Sequence, residues 1–390
     1  MKRLMLLALI ALISCKKTQE LNEEIKYNYK DYKKTSNELF NSTGWFSSDS
    51  LFFAGSKYTY DNPLLVIQTV QLDINGDGLE DIFTYDSYPL NVSPTPNPPP
   101  SVFINNGKIF EKIKWSGPTV RNPHGTKLLV GDFNNDSLPD IFSLVAVDMP
   151  FNAPPSFKDY NNILFNSKNG FSKIKEFDDQ FGFWYTGCSG DIDNDKDLDV
   201  IMFNFHYLGN GIQSKILWND GRGNFSYDST GIGKIPIVDH AELNDINKDG
   251  YLDLVIDYVT FPVRTPNVAI LFGNGKEFSL QNSVQLSLRS NQFLNSLNFA
   301  DLNKDGFNEI IVGSYDGKNT LFEISILQSL DKGKTIVNKT TEYISNFQIT
   351  DRFDLLRLQD IDNDGNLDLF APDKKSNIRW EWNGSRFLFR

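Results

Sequence analysis

Short apolar runs alternate with clusters of Asn, Asp, Gly and Pro from Trp45 to the end of the chain. The apolar runs are rich in Val, Ile, Leu, Phe and Tyr. Runs of this kind, bounded by turn residues, predict β-strands. We therefore expect residues 45–390 to form an all-β structure.

A nine-residue motif recurs within this pattern, with oxygen-bearing side chains at alternate positions and an apolar run behind it. The copy from Asp360 to Asp368 has Gly365 at its sixth position and a carboxylate at its ninth. Ca²⁺ takes six to eight oxygen ligands. A short loop supplies them when alternate side chains and a backbone carbonyl face inward around a sharp bend, which glycine permits. The motif therefore predicts a site for a hard cation.

The motif has six copies at a nearly constant spacing. They begin 54 to 59 residues apart, at Asp73, Asp132, Asp191, Asp245, Asp301 and Asp360. A fixed period indicates structural repeats. We place the repeats at residues 62–115, 120–176, 180–228, 234–281, 292–345 and 350–390.

Each repeat has the same internal order of predicted strands. An apolar strand enters the loop, a continuously apolar strand leaves it, and a third and a fourth strand flank a turn rich in Asn and Gly. Continuous apolar runs are typical of strands that are buried on both faces. Four antiparallel strands in each radial repeat are typical of a β-propeller blade. The fifth repeat departs at its turn, where Asp331, Lys332 and Gly333 precede a longer excursion.

The loop, the strand after it and the Asn-Gly hairpin together resemble the FG-GAP or VCBS type repeat of the integrin α-subunit propeller. The resemblance covers residues 62–390 and is carried mainly by the loop. Among the hairpins, a literal Phe-Gly pair stands at Phe272-Gly273 alone. The resemblance implies a calcium-binding β-propeller that acts in binding or adhesion.

The resemblance also implies which residues bind up to six Ca²⁺ ions: the side chains at positions one, three, five and nine and the carbonyl of position seven. Three or more carboxylates in a loop favour Ca²⁺ over Mg²⁺, because the wider cage suits the larger ion. Carried onto this chain, the ligand positions are Asp73, Asn75, Asp77, Leu79 and Asp81; Asp132, Asn134, Asp136, Leu138 and Asp140; Asp191, Asp193, Asp195, Asp197 and Asp199; Asp245, Asn247, Asp249, Tyr251 and Asp253; Asp301, Asn303, Asp305, Phe307 and Glu309; Asp360, Asp362, Asp364, Asn366 and Asp368.

Two loops depart from the pattern at position six. Ser137 and Lys196 stand where the other four loops have glycine. A residue other than glycine has to accept an unfavourable backbone angle there. The occupancy of the second and third loops is therefore left open.

An EF-hand is a competing interpretation of each loop, and position twelve excludes it. An EF-hand needs a bidentate Glu at that position. This chain has Thr84, Ser143, Met202, Ile256, Val312 and Ala371 there. Simple hairpin turns would explain one or two copies of the motif, but not six with the same alternation.

The number of blades depends on the segment before the first loop. Ser50 to Tyr58 aligns with Ser101 to Ile109, the third strand and hairpin of a repeat. We therefore predict seven blades, of which the first is degenerate and lacks a metal loop. Six blades and a capping hairpin is the alternative.

The N-terminus predicts the compartment. Lys2 and Arg3 precede an apolar run from Leu4 to Ile13, which is too short to cross a bilayer. Leu12-Ile13-Ser14-Cys15 resembles a bacterial lipobox, which implies a signal peptide over residues 1–14 and a lipid on Cys15. An ordinary signal with a chance cysteine is the alternative. We expect a polar tether over residues 15–44 and a lipid-anchored protein of the bacterial cell envelope, either periplasmic or on the cell surface.

The formal net charge of −12 disfavours nucleic acid as a partner, because phosphate binding needs clustered Lys and Arg. Cys188 is the one cysteine left after Cys15, so the mature chain has no intrachain disulfide available. In an oxidising compartment, metal is then the natural means of stabilising the repeats. Six divalent ions would offset the charge of −12.

The face opposite the calcium loops is the predicted ligand face. Long loops there, including residues 85–100, 147–160 and 257–266, are rich in Pro, and long loops on a rigid scaffold often bind ligands. A protein or a glycan is the expected ligand. Packing of the aromatic residues between blades is the competing interpretation. The candidate ligand-binding residues are Arg121, Trp184, Tyr185, His206, His240 and Arg264.

No catalytic motif is found in the sequence: it has no Gly-x-Ser-x-Gly, no His-Glu-x-x-His and no phosphate-binding glycine loop. We therefore favour a binding module over an enzyme. A polysaccharide lyase or another carbohydrate-active enzyme that uses the face opposite the calcium loops is the alternative. Such an enzyme would need a base such as His206 or His240 and a cation such as Arg121 or Arg264 in one pocket.

Overall fold

The computed structural model describes the repeats and leaves gaps at several connections. The described residues are 50–53, 56–59, 66–87, 99–107, 110–120, 125–145, 160–168, 170–177, 182, 184–204, 213–232, 235, 237–260, 265–288, 292–316, 321–349, 356–359, 364–370 and 379–389. The predicted signal peptide, Cys15 and the tether lie outside them. No helix within these residues is long and apolar enough to span a membrane.

Six antiparallel sheets follow one another along the chain, and each is one blade of a β-propeller. In every blade the first four strands are hydrogen-bonded in chain order. Blade one contains β3 (Val66–Leu72), β4 (Asp81–Ser87), β5 (Ser101–Asn105) and β6 (Phe110–Ile113). Blade two contains β7 (Gly125–Gly131), β8 (Asp140–Val145), β9 (Asn161–Phe165) and β10 (Lys173–Phe177). Blade three contains β11 (Trp184–Gly190), β12 (Asp199–Asn204), β13 (Lys215–Asn219) and β14 (Phe225–Asp228).

The second half of the propeller repeats this arrangement. Blade four contains β15 (Ile237–Asn244), β16 (Asp253–Thr260), β17 (Thr265–Leu271) and β18 (Ser283–Ser287). Blade five contains β19 (Gln292–Ala300), β20 (Glu309–Asp316), β21 (Phe322–Leu330) and β22 (Thr335–Asn338). Blade six contains β24 (Arg357–Gln359), β25 (Asp368–Phe370), β26 (Arg379–Trp382) and β27 (Phe387–Phe389). The all-β propeller predicted from the sequence is confirmed.

The structure supports the six-blade alternative, not the preferred seven blades. The segment predicted to start a seventh blade forms a hairpin of β1 (Ser50–Phe53) and β2 (Ser56–Thr59). Within the described residues, these two strands pair with each other and with no third strand. The alignment of this segment with a third strand and hairpin detected a real hairpin, but two strands do not make a blade.

The core consists of apolar layers between successive blades. Five clusters of buried side chains each join one blade to the next, from blades one and two to blades five and six. All six residues of β12 are buried. Val200 and Met202 pack towards blade two, whereas Ile201 and Phe203 pack towards blade four. The second strands are therefore continuously apolar because both of their faces are covered.

The first strands of successive blades contact one another in chain order, so they form the inner ring of the propeller. Four of them carry a register shift at the same place. The residue added at the shift stands six positions before the loop in each case, and the four residues are Thr126, Tyr185, Asp239 and Asn295. Such β-bulges turn the side chains of a strand towards a new direction.

Blade five departs from the other blades, as its sequence predicted. Its hairpin turns through Asp331, Lys332 and Gly333, all with positive φ. The chain then forms a short helix, α1 (Thr340–Tyr343), and returns to pair β23 (Gln348–Ile349) with the start of β21. Tyr343 stacks on Trp382 of blade six, so this excursion fills the space between the last two blades.

Candidate metal centres

The position-one carboxylate of the loops accepts hydrogen bonds from backbone N–H groups, which shape the turn. In the first loop, Asp73 Oδ1 accepts from the Gly76 N–H at 2.8 Å and Asp73 Oδ2 accepts from the Gly78 N–H at 2.7 Å. The bond from the position-six N–H recurs in the second to fifth loops, at 2.7 to 3.2 Å. The first five loops therefore share this turn geometry, as their common motif predicted.

The fifth position closes the same turn. Its carboxylate accepts the N–H of position seven at 2.8 to 3.0 Å in all six loops. The acceptors are Asp77, Asp136, Asp195, Asp249, Asp305 and Asp364. This bond is an Asx turn, which orients a carboxylate without help from distant residues.

The ninth position has a structural role that the motif alone did not reveal. Asp140 is fully buried, and its Oδ2 accepts from the Phe133 N–H at 3.1 Å while its Oδ1 accepts from the Asn166 N–H at 2.8 Å. Asp81, Asp199 and Asp253 make the same pair of bonds, to position two of their own loop and to the end of the third strand. The ninth carboxylate therefore joins the loop to the third strand of its blade.

Burial raises the pKa of these ninth carboxylates. The pKa of Asp81 and of Asp253 rises to about 6, and that of Asp140 and of Asp199 rises to about 7. Desolvation is the main cause, and the hydrogen bonds from backbone N–H groups oppose it. The other carboxylates of the loop raise the pKa further. A cation beside these groups would act in the opposite direction.

The third loop brings three carboxylates together within the described residues. Oxygen atoms of Asp191, Asp193 and Asp195 all lie within 4.8 Å of one another. Asp191 Oδ1 is buried and has no hydrogen-bond partner among the described residues. The pKa of Asp193 is raised, first by burial and then by Asp195. A buried carboxylate oxygen without a donor, in an all-oxygen set, fits a hard cation such as Ca²⁺.

The second and third loops adopt the glycine-like backbone despite their sequence. Ser137 has φ 72° and Lys196 has φ 79°, close to the 85° of Gly78 and the 92° of Gly250. The expected unfavourable angle at these two positions is therefore present. These loops keep the common fold at the cost of local strain.

The fifth loop differs because Glu309 replaces Asp at position nine. Glu309 Oε2 accepts from the Leu302 N–H at 2.8 Å, as in the other loops. Its Oε1 accepts instead from Asn303 Nδ2, at 3.0 Å. The longer side chain therefore reaches position three of its own loop. In the sixth loop, Asp364, Asn366 and Asp368 are described, while Asp360 and Asp362 lie outside the described residues.

The predicted ligand face is only partly described. Arg121, His206 and Arg264 lie outside the described residues, as do residues 146–159 and 205–212. Trp184 is 1% exposed within the core between blades two and three, which agrees with the packing interpretation of this residue. The predicted loop at residues 257–266 is shorter than expected, because β16 and β17 extend into it.

Tyr185 and His240 remain as described candidates near the β-bulges. Tyr185 is half-buried at the bulge of blade three. His240 follows the bulge of blade four, and its Nδ1 lies 2.7 Å from Asp257 Oδ2. Burial lowers the pKa of His240, but the charge and hydrogen bond of Asp257 outweigh it, so the pKa is raised. The His240 side chain is 23% exposed.

Two groups of residues with a clear role were missed at the sequence level. Asn166 and Asn219 look like hairpin residues in the sequence, yet each donates its side chain to the loop of the preceding blade. Lys127 and Glu242 form a buried ion pair between blades two and four. No sequence signal marks either contact, because each depends on how the blades are placed relative to one another.

Three comparisons show what this chain is similar to. A family model described as FG-GAP-like repeat matches residues 73–143 and 191–256. A search of curated proteins gives no match. Among solved structures, the V. cholerae biofilm matrix protein Bap1 is similar over 80% of this chain and 43% of its own, with 15% identity and a TM-score of 0.35. This chain therefore spans less than half of that protein. Two stretches of the chain are thus similar to FG-GAP-like repeats, and the chain folds as a six-bladed β-propeller.

Proposed function

We propose that this protein is a calcium-stabilised binding or adhesion module of the bacterial cell envelope, with a protein or a glycan as its ligand. The observation that carries the calcium part is the third loop, where three carboxylates converge and Asp191 Oδ1 is buried with no donor in the described part of the chain. The same motif and turn geometry recur in the other loops. The FG-GAP-like repeats support the same conclusion.

The chain's own residues prepare the loops for a cation. The Asx turn at position five and the bonds to position one hold the carboxylates at the loop, and the ninth carboxylate fixes the loop to the third strand. Bound Ca²⁺ would supply the positive charge that these clustered carboxylates lack. Positions one, three, five and nine and the position-seven carbonyl would hold it.

The metal loops all join the first strand of a blade to the second, so they share one face of the propeller. Stabilisation of the fold, one loop for each blade, accounts for six equivalent loops. We therefore assign ligand binding to the opposite face, near the bulged starts of the inner strands that contain Tyr185 and His240. Protein and glycan ligands are both compatible with these side chains.

A carbohydrate-active enzyme is a second candidate, and the His240 and Asp257 pair favours it. Asp257 is 2% exposed and holds Nδ1 of His240, which is how a carboxylate orients an imidazole for proton transfer. A lyase would use such a base to remove the proton from the carbon next to a uronic acid carboxylate, while the C–O bond at the neighbouring ring carbon breaks and the glycosidic oxygen leaves as a protonated hydroxyl. A binding module needs no proton transfer.

One experiment separates these two functions. The purified protein with Ca²⁺ is incubated with acidic polysaccharides, and the absorbance of newly formed unsaturated ends is followed. Retention of the protein on a polysaccharide without turnover supports the binding module. Product formation that is lost in His240→Gln supports the enzyme and overturns the first proposal.

The envelope location is a separate part of the proposal and rests on Cys15. Lipid attached to this cysteine would anchor the propeller, with residues 15–44 as a tether. Fractionation tests it: the wild-type chain is expected in the membrane fraction, and Cys15→Ser is expected in the soluble fraction. Equal distribution of both proteins would overturn the anchor.

A further inference from the structure

A buried hydrogen-bonded chain joins the third loop to the second. Asp199 Oδ1, at position nine of the third loop, accepts from the Asn219 N–H at 2.9 Å. Asn219 Nδ2 donates to Phe133 O, at position two of the second loop, also at 2.9 Å. The Phe133 N–H in turn donates to Asp140 Oδ2. Asn219 therefore connects the ninth carboxylates of two neighbouring loops.

The same connection joins the second loop to the first. Asp140 Oδ1 accepts from the Asn166 N–H at 2.8 Å, and Asn166 Nδ2 donates to Ile74 O at 2.8 Å. The Ile74 N–H donates to Asp81 Oδ2 at 2.9 Å. Asn166 and Asn219 are 3% and 7% exposed, so both connections are shielded from water. We call these two residues the linking asparagines.

The connection stops at blade four. Gly273 occupies the position of the linking asparagines and keeps the backbone half of the contact, with its N–H 3.0 Å from Asp253 Oδ1. It has no side chain to donate to the third loop. A Cβ at this position would overlap the carbonyl of Leu252, so no side chain fits there. The fourth loop therefore has no buried connection of this kind to the third.

We propose that the first three loops bind Ca²⁺ as one coupled group, through Asn166 and Asn219, and that the fourth loop binds independently of them. This inference rests on the proposed calcium function. The linking asparagines are positioning residues, since they contact the frame of the loops and not the ion. The second loop holds the middle place in the group.

The physical reason is the shared set of hydrogen bonds. Binding at the second loop fixes Asp140, which orders both Asn166 and the Phe133 backbone that Asn219 contacts. The neighbouring loops are then partly ordered before they bind, so they lose less conformational entropy. Coupling free energies between sites typically change affinity by about 5-fold or more. Exposed contacts, such as Asn194 to Gly250 O between the third and fourth loops, contribute less.

Hydrogen-exchange mass spectrometry of the full chain tests the proposal, because it follows each loop separately. Protection of peptides that cover residues 73–81, 191–199 and 301–309 is measured as free Ca²⁺ is raised. Asp136→Ala removes a position-five ligand from the second loop. Asp249→Ala removes the equivalent ligand from the fourth loop and is the matched control.

The coupled group predicts different responses to the two substitutions. Asp136→Ala should raise the Ca²⁺ midpoints of the first and third loops by about 5-fold or more and leave the fifth loop unchanged. Asp249→Ala should leave the Ca²⁺ midpoints of the first and third loops unchanged. If Asp136→Ala leaves both neighbours unchanged while all of them still respond to Ca²⁺, the coupling is wrong and the calcium function stands. If no loop of the wild-type protein responds to Ca²⁺, both proposals are overturned.

A second pair of variants tests the linking role directly. Asn219→Ala should raise the Ca²⁺ midpoint of the third loop. Adding Asp136→Ala to this variant should not change that midpoint further. Asn298→Ala is the matched control, since Asn298 is also buried and donates to a carbonyl of the next blade, Leu356 O, at 3.1 Å. It should leave the third loop unchanged. Equal effects of Asn219→Ala and Asn298→Ala would mean general destabilisation and would overturn the link.

Discussion

Lys127 Nζ lies 2.7 Å from Glu242 Oε1 and thereby joins the inner strand of blade two to that of blade four. Lys127 Nζ also donates to Ala241 O at 3.1 Å. Burial is the main cause that raises the pKa of Cys188 of blade three. The charge of Glu242 raises this pKa further, and the charge of Lys127 lowers it. The pair therefore spans an intervening blade, which makes it a direct restraint on the arrangement of the inner ring.

Removal of one charge from this pair should destabilise the protein. Lys127→Met leaves Glu242 without its partner, and breaking a buried pair costs about 3–5 kcal/mol at full burial, somewhat less here because Glu242 is 18% exposed. Urea unfolding measures the loss. Glu242→Gln in the same chain should restore part of it. Lys112→Met, at an exposed lysine of blade one, is the control and should change little.

Strain at position six predicts opposite effects of two exchanges. Ser137→Gly should stabilise the protein by up to about 1 kcal/mol, because Ser137 has φ 72° and glycine adopts this angle without the steric cost of a Cβ. Gly78→Ala should destabilise it by a similar amount, although no atom lies within 4 Å of the added Cβ. Thermal unfolding compares the two. A gain for Gly78→Ala would contradict the strain at this position.

The ninth carboxylate should contribute to the stability of the fold even without metal. Asp140→Asn, measured with a chelator at about pH 4 so that the carboxyl is neutral and no buried charge is removed, leaves one buried N–H facing an amide group and should cost about 1–3 kcal/mol. Asp136→Asn in the same loop should cost far less, because Asp136 is exposed. Equal losses for the two variants would show that position nine has no separate structural role.

The pair of His240 and Asp257 predicts a pH-dependent contribution to stability. The pKa of folded His240 is raised above 6.5 by Asp257 and also by Asp239, while burial and Lys127 oppose the rise. The pair therefore contributes fully below pH 6.5, and its contribution is lost as the pH rises through the folded-state pKa. The difference in unfolding midpoint between wild type and His240→Gln should be largest below pH 6.5 and should shrink as the pH rises through the folded-state pKa of His240. A difference that does not vary with pH would contradict the ion pair.

Local patterns in the sequence predicted the parts of the fold that depend on local chemistry. Asx turns and the glycine angle at position six are set within nine residues, so the loops follow the motif even at Ser137 and Lys196. The second strands are continuously apolar because both faces pack against neighbouring blades. Their identity therefore follows from composition alone.

Contacts between blades could not be predicted from the sequence. Lys127 contacts Ala241 across 114 positions, and Asn166 contacts Ile74 across 92. Such pairs depend on the placement of whole blades, which no short pattern encodes. The same limit explains Trp184, whose aromatic side chain suits a ligand site or a core equally well until the neighbouring blade is placed. The prediction of seven blades was wrong because the sequence of a hairpin resembles that of half a blade.

The Ca²⁺ dependence of the unfolding midpoint tests the central claim most directly. A ligand that binds the native state alone stabilises it, by about 2.7 kcal/mol for each site at 100 times its Kd. The midpoint should therefore fall markedly in chelator, recover with added Ca²⁺ and recover less with Mg²⁺. Asp191→Asn, which alters the loop with the unpaired buried oxygen, should reduce the recovery. An identical midpoint in chelator and in excess Ca²⁺ would contradict the claim that these loops bind calcium to stabilise the propeller.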